Sequence, residues 1–124
     1  MTESALLLQL KRVYDPPDDE DGCRILIDRL WPRGLTKDQA AIQEWMKEIA
    51  PGPELRRWFG HKPERFREFR ERYLQELAQS ETKTELVRRI RKQAAEEPVT
   101  LVYGAKDPLH NHGVVLLDFV RRRE

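Results

Sequence analysis

Cysteine is almost missing from this chain of 124 residues. The one thiol, Cys23, has no internal partner for a disulfide, and its place in a strand pattern makes a buried thiol the default reading. Long hydrophobic runs are missing too. The longest uncharged apolar stretches, residues 5–8 and 113–117, fall far short of a membrane span. The opening Met-Thr-Glu-Ser is acidic and lacks the basic and apolar regions of a signal peptide. These absences predict a soluble, cytoplasmic protein with no membrane partner. Gly-x-Gly-x-x-Gly, a Walker loop, Gly-x-Ser-x-Gly and Cys-x-x-Cys do not occur, so nucleotide, serine-esterase and dithiol chemistries lack their usual signatures. Cys23 is also remote in sequence from His110 and His112, which weighs against a Cys–His nucleophile.

What is present suits one domain over residues 1–124. Apolar residues make up 39% of the chain and charged ones 36%, with mean hydropathy −0.78, so the core is thin. The net charge of +1 is unevenly spread. Residues 1–50 carry 7 basic and 10 acidic side chains, and residues 51–124 carry 16 and 12. A basic second half invites a nucleic-acid reading through Arg56, Arg57, Arg65, Arg88, Arg89, Arg91, Lys92 and residues 121–123. Against it, the pI is only 7.9 and no base-reading motif appears. Pairs such as Arg67–Glu71 and Glu68–Arg72 stand at i, i+4, the spacing of a solvated ion-paired helix.

Leu6, Leu8, Leu10 and Val13 alternate with polar residues as a first strand. Residues 14–22, with Pro16, Pro17 and the acidic run 18–21, read as an exposed loop. Residues 23–27 form a more buried second strand. The two strands can pair as an antiparallel hairpin, and periodicity leaves that pairing open. Thr36 with Gln39 has capping-box spacing, and Ile42, Trp45, Met46 and Ile49 form a helical stripe ended by Pro51. The alternation Ile42, Glu44, Met46, Glu48 is the competing strand pattern. Pro53 opens a short helical turn that stops at Gly60, and Pro63 starts a helix lined by Phe66, Phe69, Tyr73, Leu74 and Leu77. A helix over 84–95, a strand over 99–103 and a terminal helix over 114–122 complete the chain. The fold class is small α/β, in two or three layers, with a short, mostly parallel sheet of about three strands and four to five helices.

Chemistry-bearing residues gather after two strands. Asp28-Arg29-Leu30-Trp31-Pro32-Arg33-Gly34 follows the second, and Lys106, Asp107, His110, Asn111 and His112 follow the third. Ligands of open α/β sheets lie outside strand carboxyl ends, so parallel strands would merge these loops into one cleft. Arg29, Arg33 and Lys106 are candidate anion ligands, Gly34 permits close backbone approach, and Trp31 and Tyr14 offer aromatic walls. His110 or His112 is a candidate proton carrier, oriented by Asp28 or Asp107. His-x-His with Asp107 or Asp28 also has metal-ligand chemistry, although no metal is assigned. The structural alternatives are an ion pair at Asp28, packing of Trp31 in the core and Asn111 as an N-cap. Trp58-Phe59-Gly60-His61 reads as core, with His61 exposed.

Five blocks carry a resemblance: Arg12-Val13-Tyr14-Asp15-Pro16-Pro17, the heptapeptide from Asp28 to Gly34, Ala50-Pro51, Trp58-Phe59-Gly60-His61, and Ala105-Lys106-Asp107 with His110-Asn111-His112. Together they resemble the bacterial domain-of-unknown-function 488 proteins of the YeaO-like type, over residues 8–120. The resemblance implies a small cytoplasmic protein and supports the fold and the candidate positions, but it brings no reaction. Gly104 and Gly113 depart from the small side chain, such as alanine, expected there. Three functions compete. The first is binding of, or action on, a small anionic ligand, phosphorylated ones included. The second is nucleic-acid binding, and the third a regulatory or interaction role without chemistry. Nothing in the sequence specifies a cofactor or an oligomeric state.

Overall fold

The computed structural model describes residues 6–122. The acidic N-terminal tetrapeptide and Arg123 of the basic C-terminal run lie outside them. Four parallel strands, β1 (Leu8–Arg12), β2 (Cys23–Leu26), β3 (Glu44–Trp45) and β4 (Val99–Tyr103), form a sheet of order β1-β4-β2-β3. The helices are α1 (Lys37–Ala40), α2 (Pro53–Phe59), α3 (Phe66–Gln79), α4 (Glu81–Ala94) and α5 (His112–Arg121). Among the described residues no helix is long and apolar enough to cross a membrane.

β1 and β2 do not form the antiparallel hairpin that a long loop would permit. β4 lies between them, pairing Leu8 with Val99 on one side and Cys23 with Val99 on the other, both in parallel. All five residues of β4 are buried, as expected of a strand covered on both faces. Residues 99, 101 and 103 join the larger core with Ile25, Ile27 and the helices α2 to α5. Val102 joins a smaller cluster with Val13, Leu26 and Ala40, roofed by Trp31, Leu35, Ile42 and Trp45.

The helix expected from Thr36 to Pro51 is broken. Its capping box forms as read, with Thr36 accepting from Gln39 N and Gln39 accepting from Thr36 N, but α1 ends where Ala41 turns left-handed at φ 53°. Residues 44–45 then extend the sheet, because Gln43 N donates to Arg24 O at 2.9 Å and Met46 N to Leu26 O at 2.8 Å. The open edge of β2 takes up these backbone groups once Ala41 has ended the helix. Trp45 faces the smaller cluster, meeting Trp31 edge-on at 5.4 Å, while Met46 enters the larger one. α4 begins earlier than residue 84, at Glu81 behind the N-cap Ser80, and α5 begins at His112.

The loop 14–22 is exposed except at its end. Asp21 is 2% exposed and forms a 2.7 Å ion pair with Arg24, also 2% exposed. Lys11 reaches the same carboxylate at 3.1 Å, and Arg24 donates to the carbonyls of Ala40 and Ala41. Gly22 permits this turn. Its φ is +65°, and a Cβ there would stand 2.2 Å from Pro98 O.

Burial alone would raise the Asp21 carboxyl pKa. Donation by Lys11 and Arg24 outweighs burial and holds it below the ordinary value. The unfolded chain therefore binds this proton more readily than the folded one. The pair's stability is present above the unfolded pKa of about 3.9 and is lost as pH falls through the lower native value. Replacing Arg24 by Met is expected to cost about 3–5 kcal/mol at pH 7, because it strands a buried carboxylate. The cost should shrink as pH drops below about 4, which urea titrations across that range would measure.

Candidate functional site

The parallel ladder ends by building a cavity. Ile27 N donates to Val102 O at 3.1 Å, one rung beyond β2. The next rung is taken by the Asp28 side chain, whose Oδ2 accepts from Gly104 N at 2.9 Å. The carboxyl ends of β2 and β4 are thus joined through Asp28, and Trp45 Nε1 donates to Asp28 O at 2.7 Å from the β3 side. A Cβ at residue 104 would come within 3.1 Å of Asp28 Oδ2, a tight contact that the carboxylate would have to yield to by a few tenths of an ångström. Gly113 has the same logic, since a Cβ there would stand 2.9 Å from Leu10 and 3.0 Å from Asn111 Oδ1.

Above this junction is a cavity of about 200 Å³. Leu30, Ala50, Pro51, Phe59, Phe69 and Ala105 supply its apolar wall. Asp28, Arg29, Arg56, His61, Asn111 and His112 supply its polar groups. Four of the five sequence blocks contribute: the Asp28 heptapeptide, Ala50-Pro51, Phe59 with His61, and Ala105 with Asn111-His112. Phe59 stacks on Phe69 at 4.2 Å, and His61 holds a left-handed backbone at φ 59° beside Gly60 at φ 52°.

Two polar atoms of this wall are buried without a hydrogen-bond partner among the described residues, Asp28 Oδ1 and Arg56 Nε. The first has His112 Nε2 nearby at 3.3 Å. That nitrogen, however, lies 3.0 Å from Ile27 O, a carbonyl that can only accept, so its proton is already engaged. Tyr73 lies behind His112, ring to ring at 6.1 Å, and donates to Ile49 O at 2.7 Å. Burial, then the charges of Glu76 and Asp28, push its pKa well above the ordinary value and keep it a donor.

The histidine loop divides into two parts. His110 Nδ1 pairs with Asp107 Oδ2 at 2.9 Å, and Asp107 Oδ1 accepts from the backbone of Leu109 and His110. Donation from Leu109 N, then from His110, holds the Asp107 carboxyl below its usual range. Asn111 caps α5, accepting from Val114 N at 3.0 Å and donating to Asp107 O at 2.7 Å. His112 turns instead toward Asp28. The two histidines thus have separate carboxylates, and among the described residues no group of three or more His, Cys, Asp or Glu is placed to hold a metal ion.

Apart from Arg29, the other candidates sit around the cavity and not in its wall. Arg33 and Gly34 are exposed, and Arg33 contributes its carbonyl to Tyr14 Oη at 2.8 Å. Trp31 donates to Leu35 O at 2.7 Å, and Lys106 is exposed. Arg29 spans to Glu48 at 3.2 Å at the rim. Arg56 was hidden in the sequence inside a basic cluster; its place in the cavity wall and its partial burial set it apart from the exposed Arg57. The remaining basic residues are largely engaged, as in Arg72–Glu68, Arg70–Asp118, Arg88–Glu85 and Arg89–Glu44.

These features define an α/β protein with a cavity at the carboxyl edge of a parallel sheet. The family model described as the inactive DUF488-N3 subclade matches residues 7–123, and the chain belongs to this DUF488, YeaO-like family. It is 48% identical over 114 residues to Uncharacterized protein YeaO of Escherichia coli K12, covering 92% of this chain and 96% of that protein. It is 40% identical over 116 residues to Uncharacterized protein Rv3073c of Mycobacterium tuberculosis H37Rv, covering 94% and 95%. No solved structure matches the chain significantly.

Gly113→Ala is expected to cost about 1–3 kcal/mol, the range for overpacking a filled site. Gly34→Ala, where nothing lies within 4 Å, is expected to cost only the backbone strain of its φ of +83°. Chemical denaturation of the two variants would separate packing from conformation.

Proposed function

We propose that the protein binds a small anionic ligand with an apolar body in the cavity at the ends of β2 and β4, and that it holds this ligand without turning it over. The observation that carries the reading is Arg56 Nε, a buried cationic donor with no hydrogen-bond partner among the described residues in a wall otherwise rich in Phe59, Phe69, Pro51 and Leu30. Leaving such a donor unmatched costs about 1–3 kcal/mol or more, which a carboxylate or phosphate oxygen would recover.

Binding is favoured over catalysis by the site's own residues. None of the described residues in the wall is a serine, threonine or cysteine. His112, the histidine closest to Asp28, has its Nε2 proton committed to a backbone carbonyl. The description of the matching subclade as inactive agrees with a binder. A cytoplasmic location fits such a role. The volume of about 200 Å³ lies below the roughly 300–1,000 Å³ of drug-sized sites. An apolar cavity of about 150 Å³ holds benzene, so the occupant has on the order of eight heavy atoms.

The test is thermal shift and calorimetry with 3-methylbutanoate and inorganic phosphate. At least one should stabilise the unaltered protein. Arg56→Ala should weaken that binding by about tenfold to a hundredfold, the worth of one charge-assisted hydrogen bond, and Arg33→Ala should leave it unchanged. Binding that survives Arg56→Ala but is lost in Arg33→Ala would move the site to the exposed turn and overturn this assignment.

A further inference from the structure

The second unmatched atom narrows the ligand. A bare anion would satisfy Arg56 Nε while standing in the same small cavity as the Asp28 carboxylate, whose Oδ1 still lacks a donor. A bare cation would have the reverse problem with Arg56. Resting on the anion-binding reading above, we propose that the ligand is a zwitterion, a free aliphatic α-amino acid. Its carboxylate meets Arg56, its ammonium meets Asp28 Oδ1, and its side chain lies against Phe59, Phe69 and Pro51.

Three observations support this class over its alternatives. First, the two unmatched atoms are of opposite kind, one acceptor on an acid and one donor on a guanidinium, and the residues that carry them both line one cavity. Second, a neutral heterocycle with adjacent N–H and C=O groups could also bond to both. A charged partner, however, makes each bond roughly twice as strong. Third, the rest of the wall is largely apolar, and valine or leucine, with eight or nine heavy atoms, matches the capacity estimated from cavity volume. Asp28 Oδ1 has His112 Nε2 at 3.3 Å, but that proton goes to Ile27 O at 3.0 Å. Asp28 holds the sheet junction with its other oxygen, through Gly104 N at 2.9 Å.

The experiment is isothermal titration of the full chain with L-valine and L-leucine, with their amino-free counterparts 3-methylbutanoate and 4-methylpentanoate, and with uracil as the neutral heterocycle. The amino acids should bind about tenfold or more tightly than the amino-free acids, the worth of one charge-assisted bond. Asp28→Asn, which retains an oxygen for Gly104 N, should erase that difference, and Arg56→Ala should weaken both series. Amino-free acids binding as well as amino acids, with dependence on Arg56, would overturn the zwitterion while leaving the anion site standing. Uracil binding more tightly than either series would overturn it in favour of a neutral ligand. No binding by any of these compounds or by phosphate would overturn both readings. The comparison on the unaltered protein needs no variant to fold.

Discussion

The structure depends on the insertion of its last strand between its first two. β4 is the fourth strand in the chain and the second in the sheet, hydrogen-bonded in parallel to β1 and β2, and buried along its whole length. Parallel pairing needs long crossovers, and here the connection from β3 to β4 carries three of the five helices. These pack on one face of the sheet and build the larger core. The same insertion sets the strand ends beside one another, which turns the backbone of Gly104 toward Asp28 and the start of α5 toward Ile27.

The opposite face is covered differently. Apart from the single turn of α1 it has loops, which bring polar backbone and little apolar surface. Two devices make that cover possible. One is the Trp31–Trp45 pair, each indole N–H donating to a carbonyl of the covering chain, Leu35 and Asp28 respectively. The other is the buried Asp21–Arg24 pair, where one guanidinium takes up carbonyls of Ala40 and Ala41 that α1 leaves open at its end. A buried ion pair contributes less through net attraction than through the penalty for breaking it, so this one fixes where the loops lie.

The cavity sits where these two kinds of cover meet the strand ends. Its wall is contributed by segments far apart in the chain, from Asp28 to His112, and the helical side supplies Arg56, Phe59 and Phe69. Most buried polar groups nearby are satisfied: Asn111 as a cap, Tyr73 on Ile49 O, His112 on Ile27 O. Against that background the two unmatched atoms, of opposite chemical character, carry information about what the cavity receives.

Local signals were legible in the sequence because their causes lie within a few residues. The strand over 99–103, the Thr36 capping box, the stop at Gly60, Pro63 opening a 3-10 turn that runs into α3, and the clustering of polar residues after two strands all follow from backbone propensity and side chains acting on their own turns. Tertiary structure decided whatever depends on a distant partner. It chose parallel strands over a hairpin, since β4 occupies the place between β1 and β2. It made residues 44–45 a strand, since the edge of β2 offered hydrogen bonds that a helix would have forgone. It buried Asp21, which the acidic run had marked as solvated, because Arg24 and Lys11 converge there. It also selected Arg56 from a basic stretch and left Arg33 outside, because burial belongs to the packing of remote segments and leaves no mark in the local pattern.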